Sequence, residues 1–287
     1  MWHTVEALIS EHTNTDFRIR EKEPVSGGDI NLAFRIADET TSYFVKINSK
    51  QSFDNFQQEF YSLDQLNRFS AVSSPKPLLI GKSIDKSFLV IEHLNLNQPN
   101  DEDWYQLGVE LAQTHQDVVH GEYGWQEDNA IGHTLQRNTW SKNWSMFFAE
   151  QRIGWQLQLL AEKGIYFGDI DHICQTCHDM LVSHHPRPSL LHGDLWQGNV
   201  GFTNEGPVVF DPACYYGDRE ADIAMTELFG QFPDSFYQGY QATFPLQKHY
   251  EQRKNLYNFY HVLNHANLFG GIYINQAKAN LKYILSS

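Results

Sequence analysis

The hydrophobic pattern of the chain changes once, between residues 93 and 100, and this change restricts the possible folds. Before it, short β-rich segments alternate with polar turns, and a single helical stretch interrupts them. After it, apolar residues three and four positions apart predict long amphipathic helices, separated by short apolar segments. At 287 residues the chain can form two lobes that each bury a core. We therefore expect an α+β fold with a small β-rich lobe over residues 1–93 and a larger, mostly helical lobe over residues 94–287.

The first lobe is predicted to contain the order β-β-β-α-β-β after a short N-terminal helix around Val5 and Ile9. A first strand is expected near residues 17–22, and the segments NLAFRIAD and SYFVKIN form a hairpin around the turn DETT. Two further strands, PLLIGK and SFLVIE, close the lobe. The helix between them has one apolar face, made of Phe53, Phe56, Phe60, Leu63 and Leu66.

Composition excludes several classes of protein. The net charge of −14 opposes binding to nucleic acid or to anionic membranes. No apolar run approaches the ~18 residues that span a bilayer, and an N-terminus with Glu6 and Glu11 does not match a secretory signal. The three cysteines, Cys174, Cys177 and Cys214, are an odd count that suits free thiols. We expect a cytoplasmic protein.

The strongest chemical motif is HGDLWQGN, residues 192–199, followed by the segment FDP at the end of an apolar strand. It places Asp194 and Asn199 in a D-x-x-x-x-N arrangement, with Asp211 after the strand. Phosphoryl transfer requires a carboxylate that accepts the proton of the attacking hydroxyl, and an amide and a second carboxylate that bind Mg²⁺. Each residue alone could be a turn or cap residue, but the three in this order favour phosphoryl transfer.

Two charged residues of the first lobe complete this pattern. Lys46 interrupts the apolar strand YFVKI, and Glu59 lies on the apolar face of its helix. Singly, each could reach solvent at the edge of its element. Together they predict an ion pair between strand and helix that directs the ammonium group towards the phosphates of a nucleotide.

Two further segments could contact a nucleotide. Gly27 and Gly28 lie between the first two strands, where a glycine pair lets backbone N–H groups approach phosphate, although it also suits a plain hairpin turn. Glu92, His93 and Leu94 follow the last strand, where backbone groups could bind the edge of adenine or simply link the lobes.

Four segments carry a resemblance to a known family: SGGDIN, LLHGDLWQGN, DNAIGHTLQRNTWSKNWSMFFAEQRI and FDPACYYGDREADIAMTELFG. The chain resembles the fructosamine kinase (ketosamine-3-kinase) family, which belongs to the aminoglycoside-phosphotransferase-like enzymes with the two-lobe protein-kinase-like fold. The resemblance implies ATP and Mg²⁺ as cofactors. By position, it implies Asp194 as catalytic base, Asn199 and Asp211 as magnesium ligands, Lys46 as the phosphate-binding lysine with Glu59 as its partner, and residues 92–94 as the adenine-contacting hinge.

The resemblance also implies that Trp196, Asp218, Arg219 and Glu220 contact the acceptor, although Arg219 to Asp222 could equally be the charged first turn of a helix. An acidic cleft around Asp218, Glu220 and Asp222 would pair with a protonated amine, and the Trp196 ring would face a sugar.

The leading functional expectation is therefore an ATP-dependent kinase for the 3-hydroxyl of a small-molecule or protein-bound ketosamine, acting in the repair of glycated amines. A kinase of an aminoglycoside, choline or another amino alcohol, and an inactive kinase-like binding module, are the alternatives. The oligomeric state is not predicted.

One cysteine motif imitates a cofactor site. Cys174, Cys177 and His178 match the C-x-x-C-H pattern of haem attachment and resemble a partial zinc site. The segment ICQTCHDML instead predicts a helix with Ile173, Cys177 and Met180 facing the core. Similarly, we expect His115 to be a core or capping residue.

Overall fold

The computed structural model describes residues 1–25 and 31–286. Its first part is a five-stranded antiparallel sheet with the order β1-β2-β3-β5-β4, as the alternating apolar segments predict. The elements are α1 (Trp2–Thr13), β1 (Glu21–Val25), β2 (Leu32–Ala37), β3 (Ser42–Ser49), a 3₁₀ turn (Lys50–Ser52), α2 (Phe53–Phe69), β4 (Pro77–Lys82) and β5 (Lys86–Glu92).

The first strand begins later than the sequence predicts. Phe17 and Ile19 alternate with polar residues, but both precede β1 and pack into the core beside Val5 and Ile9 of α1. The alternation therefore reflects packing against the sheet and not strand pairing. The prediction of a strand near residues 17–22 is wrong for most of its length, because an apolar period of two does not distinguish the two cases.

Helix α2 packs one face on the sheet. Phe56 and Leu63 are buried against Leu89 and Ile91 of β5, which confirms the face predicted from the spacing of apolar residues. The end of α2 reaches the second lobe, because Leu66 belongs to the core of that lobe. This helix therefore contacts both lobes, and the position of Glu59 at its middle is fixed from both ends.

The second lobe is mainly helical, as predicted. Its main core contains apolar residues of the helices and of the short strands, among them Leu107, Leu191 and Phe259. Its elements are α3 (Asp101–Asp117), β6 (Asn129–Ile131), β7 (Thr134–Gln136), α4 (Trp144–Met146), a π-helical segment (Phe147–Gly154), α5 (Trp155–Glu162), α6 (Ile170–Leu181), β8 (Ser189–Leu191), a 3₁₀ turn (Gln197–Asn199), β9 (Val200–Thr203), β10 (Gly206–Val209), β11 (Tyr215–Gly217), α7 (Glu220–Thr226), α8 (Asp234–Thr243), α9 (Tyr250–Phe269) and α10 (Ile272–Ile284).

The segment between the lobes has no regular secondary structure over residues 93–100. It ends in a capping box: the Asn100 side chain accepts hydrogen bonds from Glu102 N and Asp103 N, and the Asp103 carboxylate accepts one from Asn100 N. This box fixes the start of α3. The boundary between residues 93 and 94 stays a prediction. No helix among the described residues is both long and apolar enough to cross a membrane.

The close approach of α3 and α8 depends on two glycines. A Cβ atom on Gly108 would lie 2.1 Å from the carbonyl oxygen of Phe236, and one on Gly239 would lie 2.1 Å from that of Tyr105. Real atoms do not approach so closely, so any larger residue must separate the two helices.

We therefore expect Gly108→Ala to lower the free energy of unfolding by about 2 kcal/mol, because overpacking against a backbone carbonyl cannot be relieved by a side-chain rotation. Gly121→Ala is the matched control, since a Cβ there meets no atom within 4 Å, and it should change stability by less than about 0.5 kcal/mol. Urea denaturation measures both. Equal stability of the two variants would contradict the packing argument.

Candidate active site

The HGDLWQGN segment forms the loop that follows strand β8 and ends in the 3₁₀ turn Gln197–Asn199. Within it, the amide nitrogen of Asn199 donates hydrogen bonds to the backbone oxygen of Asp194 at 2.8 Å and to its carboxylate at 3.3 Å. Because the amide nitrogen is used here, the carbonyl oxygen is the atom with which Asn199 could bind a cation. The turn thus brings Asp194 and Asn199 together, as the D-x-x-x-x-N spacing predicts.

Asp211 reaches the same place from the end of strand β10. Its backbone adopts the left-handed conformation, with φ of 53°. Two hydrogen bonds join the flanking residues to the loop: Phe210 N donates to Asn199 O at 2.9 Å, and Ala213 N donates to His192 O at 2.8 Å. The loop and the Asp211 segment are therefore one bonded unit.

Lys46 connects this unit to the first lobe. Its buried ammonium group is in hydrogen-bond contact with Glu59 of α2 and with Asp211. Burial alone would lower the pKa of Lys46, but the two carboxylates outweigh that effect and keep it above its ordinary value. The ion pair predicted between Lys46 and Glu59 is present in this structure, and the contact with Asp211 adds a link between lobes that the sequence did not indicate.

The electrostatics of the loop suit a divalent cation. Burial, and then the negative charge of Asp211, raise the pKa of Asp194 to about 7. Two carboxylates that repel each other, beside an amide oxygen, form a set of hard oxygen donors of the kind that Mg²⁺ prefers. A cation bound by Asp211 and Asn199 would remove the second cause of the raised pKa.

Asp222 holds the loop from behind. Its carboxylate accepts hydrogen bonds from His192 N at 2.7 Å and Gly193 N at 2.9 Å, and it contacts the ring of His115 at 3.2 Å. Burial alone would raise the pKa of Asp222, but these partners lower it below its ordinary value. Asp222 is thus a positioning residue, and the expectation that it lines an acceptor cleft is wrong. Its place within the apolar run of α7 was the available signal, because a buried carboxylate needs an internal partner.

Trp196 is the exposed side chain of the loop. It is 37% exposed, and its ring lies over Gly198, where a Cβ atom would be 2.4 Å from the ring. Because Gly198 has no side chain, it leaves room for the indole ring of Trp196.

The chain is similar to known proteins along its full length. The family model described as fructosamine kinase matches residues 1–287. The chain belongs to the fructosamine kinase family. A "probable ketoamine kinase" of Vibrio parahaemolyticus is 48% identical over 100% of both chains. A crystal structure of a "putative fructosamine-3-kinase" from Haemophilus somnus 129PT is 36% identical, with a TM-score of 0.94 over 99% of this chain and 98% of that one.

A more distant neighbour extends the fold comparison. An aminoglycoside phosphotransferase, solved as a ternary complex with ADP and hygromycin B, matches with a TM-score of 0.62 at 15% identity, over 99% of this chain and 98% of that one. The two-lobe protein-kinase-like fold is therefore confirmed. As a member of the fructosamine kinase family, the chain is an ATP-dependent phosphotransferase.

The charged residues that were expected to line an acidic acceptor cleft are buried in this structure. Asp218, Arg219 and Glu220 are at most 5% exposed. Asp218 is hydrogen-bonded to His184 at 2.7 Å and to Tyr257, and Glu220 accepts two hydrogen bonds from Arg253 at 2.7 and 2.9 Å.

Arg219 is bound in the interior as well. It donates hydrogen bonds to the hydroxyl of Tyr240 at 3.0 Å and to the backbone oxygen of Phe244 at 2.8 Å. Helix α9 packs on α7, so this segment lies inside the lobe. The prediction that Asp218, Arg219 and Glu220 contact the acceptor is wrong for this structure, because buried charges need internal partners and have them here.

The hinge residues lie at the end of β5, where Glu92 N donates to Lys76 O at 2.9 Å and the Glu92 carboxylate accepts from Lys76 N at 3.2 Å. The ring of His93 contacts the hydroxyl of Ser42 at 3.1 Å. The binding of adenine by the backbone of Glu92, His93 and Leu94 stays a prediction. Gly27 and Gly28 lie outside the described residues.

The cysteine motif lies on a helix. Cys174 and Cys177 lie on helix α6, where Ile173 and Cys177 are buried, Met180 packs partly against the core, and both thiols are free. Among residues 1–25 and 31–286, Cys174, Cys177 and His178 do not converge as metal ligands. The helix prediction is confirmed, as is the core position of His115, whose ring contacts Tyr240 at 2.8 Å.

We expect Asp222→Asn to lower the free energy of unfolding at pH 7 by about 3 kcal/mol, because the amide cannot accept both backbone hydrogen bonds and a buried network is broken. The exposed Asp179 provides the control, and Asp179→Asn should change stability by less than about 0.5 kcal/mol. Urea denaturation as a function of pH measures both variants.

The pH dependence has a definite sign. Since the pKa of Asp222 is lowered in the folded state, its contribution is complete above the unfolded aspartate pKa of about 3.9 and is lost as the pH falls through the folded pKa. The stability difference between wild type and Asp222→Asn should therefore narrow below pH ~4. A difference that is small at pH 7, or that widens in acid, would contradict the assigned role.

Proposed function

We propose that this fructosamine kinase family member transfers the γ-phosphoryl group of ATP to the 3-hydroxyl of a ketosamine and so takes part in the repair of glycated amines. The observation that carries the proposal is the convergence of Lys46, Asp194, Asn199 and Asp211 from both lobes, in a chain that matches the family over its full length. The substrate, the position of phosphorylation and the roles of these residues are parts of the proposal.

In the proposed reaction, Asp194 accepts the proton of the acceptor hydroxyl while the hydroxyl oxygen bonds to the γ-phosphorus and the bond to the leaving ADP oxygen breaks. Asn199 and Asp211 would hold Mg²⁺, which neutralises charge on the phosphates. This assignment is supported by the oxygen atoms that Asp211 and Asn199 offer, because Mg²⁺ prefers hard oxygen donors. Once Asp211 binds the cation, Asp194 loses part of the repulsion that raises its pKa and can act as a base at neutral pH.

Lys46 has a second task in this scheme. In the present structure its single positive charge is shared between Glu59 and Asp211. We infer that, with nucleotide bound, Glu59 keeps the ammonium group in place while its remaining donors bind an α- or β-phosphate oxygen. The three N–H donors of a lysine allow this exchange without movement of α2.

The acceptor is assigned from Trp196 and from the charge of the chain. The exposed indole offers an apolar face to a sugar ring beside Asp194. With Asp218 and Glu220 buried, a net charge of −14 is the remaining feature that favours a cationic acceptor, through the field of the whole molecule. A ketosamine carries both a sugar and a protonated amine. The three free thiols support the further proposal of a cytoplasmic location.

Asp194→Asn should abolish turnover while ATP still binds, because a base contributes to the transition state and little to the affinity for nucleotide. We expect kcat to fall by a factor of about 100 or more and the Kd for ATP to change less than about threefold. Coupled ADP release and calorimetry measure these values, with Asp179→Asn as the control that keeps full activity. A variant with more than about a tenth of wild-type kcat would contradict the assignment.

The acceptor prediction uses competition between compounds at equal concentration. Fructose-lysine or ribulose-lysine should be phosphorylated with a kcat/KM at least about tenfold above free fructose, which lacks the amine. Trp196→Ala should raise the KM for the ketosamine and leave the KM for ATP unchanged. Phosphate at another position by NMR, or choline or an aminoglycoside as the better acceptor, would leave only the general kinase assignment.

A further inference from the structure

We propose that Asn129 and Gln136 are positioning residues that fix the backbone carrying Asp211, and that a directional hydrogen-bond chain from the buried Arg152 and Tyr260 orients their amides. The inference rests on the proposed function in one respect, the assignment of Asp211 as a magnesium ligand. None of these four side chains is among those expected to touch nucleotide or acceptor.

The segment after Asp211 needs an external support. The left-handed backbone of Asp211, with φ of 53°, is unfavourable for a residue with a side chain, so the neighbouring structure must maintain it. Asp211 is also half exposed at its side chain, which means that packing around the carboxylate does not fix it. Lys46 holds the carboxylate itself, and the further constraints on this segment come from the backbone on either side.

Two buried amides supply that constraint from strands β6 and β7. Asn129 Nδ2 donates to the backbone oxygen of Cys214 at 2.8 Å, and Gln136 Nε2 donates to that of Ala213 at 3.1 Å. Asn129 and Gln136 are 4% and 1% exposed. Ala213 also donates its N–H to His192 O, so the carbonyl that Gln136 binds belongs to the residue that ties Asp211 to the catalytic loop.

The direction of the first branch is set by Arg152, whose guanidinium group can only donate. Arg152 Nη2 donates to Asn138 Oδ1 at 2.7 Å, which turns the Asn138 nitrogen towards Asn129 Oδ1 at 2.9 Å. Because Asn129 Oδ1 accepts that bond, its own nitrogen faces Cys214 O. The orientation of two amides in series, Asn138 and then Asn129, therefore follows from the donor-only guanidinium group of Arg152.

A second branch reaches Gln136. The hydroxyl of Tyr260 donates to Gln136 Oε1 at 2.7 Å, and Gln136 Nε2 then donates both to Ala213 O and to Asn129 Oδ1, the latter at 2.8 Å. Both branches meet at Asn129. The side-chain oxygen and nitrogen of Asn129, Gln136 and Asn138 each have a partner, so any amide flip would place two donors or two acceptors against each other.

Arg152 itself is placed by an irregular helix. It lies in the π-helical segment Phe147–Gly154, is fully buried, and its guanidinium lies 4.1 Å from the ring centre of Tyr215 and 4.6 Å from that of Phe147. The extra residue per turn in a π-helix rotates the side chains that follow, and such segments often occur at functional sites. Here the π-helical segment directs the guanidinium group of Arg152 towards Asn138.

The test compares two buried asparagines with the same local chemistry. Asn129 Nδ2 donates to Cys214 O, and Asn267 Nδ2 donates to Gln156 O at 2.9 Å between α5 and α9, outside the chain of amides described here. Asn129→Ala and Asn267→Ala each remove three side-chain hydrogen bonds, one of them to a backbone oxygen, and should lower the thermal midpoint similarly. Only Asn129→Ala should weaken the binding of metal-bound nucleotide.

Calorimetry with AMP-PNP, with Mg²⁺ or with EDTA, separates the two effects without any acceptor. We expect Asn129→Ala to raise the Kd for Mg²⁺·AMP-PNP about fivefold or more, the effect of one misplaced hydrogen-bonded ligand, and to leave metal-free AMP-PNP binding within about twofold. Asn267→Ala should keep both values within about twofold of wild type. Gln136→Glu is the second variant, since it retains the acceptor for Tyr260 and loses the donors to Ala213 and Asn129.

The outcomes distinguish this inference from the proposed function. If wild type binds Mg²⁺·AMP-PNP more tightly than AMP-PNP alone while Gln136→Glu and Asn129→Ala bind as wild type does, the positioning role is overturned and the kinase assignment stands. If Asn267→Ala weakens metal-bound nucleotide as much as Asn129→Ala, the amides only stabilise the fold and the inference is again overturned. If wild type shows no dependence on the metal, both the magnesium assignment and this inference fail.

Discussion

The two lobes are joined chemically by one buried ammonium group. Lys46 lies in an apolar strand, where an unpaired buried charge would strongly destabilise the folded protein. The fold must therefore place carboxylates next to it. One comes from α2 of the same lobe and the other from Asp211 of the second lobe. The position of Asp211 therefore depends on a charge located 165 residues away in sequence. The loop of residues 192–199 depends on the same charge, because it is bonded to the Asp211 segment.

The loop of residues 192–199 depends in the same way on a second buried charge, that of Asp222. Asp222 binds the N–H groups of His192 and Gly193, and His115 binds Asp222 from α3. A loop that carries reactive groups cannot pack them tightly and keep them accessible to substrate, so it is fixed through its backbone. Asp222 and the amides of Asn129 and Gln136 all act on backbone atoms and leave the reactive side chains accessible.

The sequence predicts the features that depend on local patterns. Apolar spacing indicates α2, the hairpin and strands β4 and β5, and the order of Asp194, Asn199 and Asp211 indicates their convergence. The late start of β1, the π-helical segment around Arg152 and the burial of Asp218 and Glu220 could not be predicted in this way. Each depends on partners distant in sequence, such as Arg253 for Glu220, and local charge gives no sign of them.

The contrast between Asp194 and Asp218 shows why residue type alone does not identify a site. Both are aspartates in motifs of the family, and burial acts to raise the pKa of both. Asp218 accepts hydrogen bonds from His184 and Tyr257, which lower its pKa and stabilise its negative charge. Its charge is therefore compensated within the protein. Asp194 faces the charge of Asp211 and has a pKa of about 7. A carboxylate whose environment leaves its charge uncompensated is the one that a cation and a proton can act on.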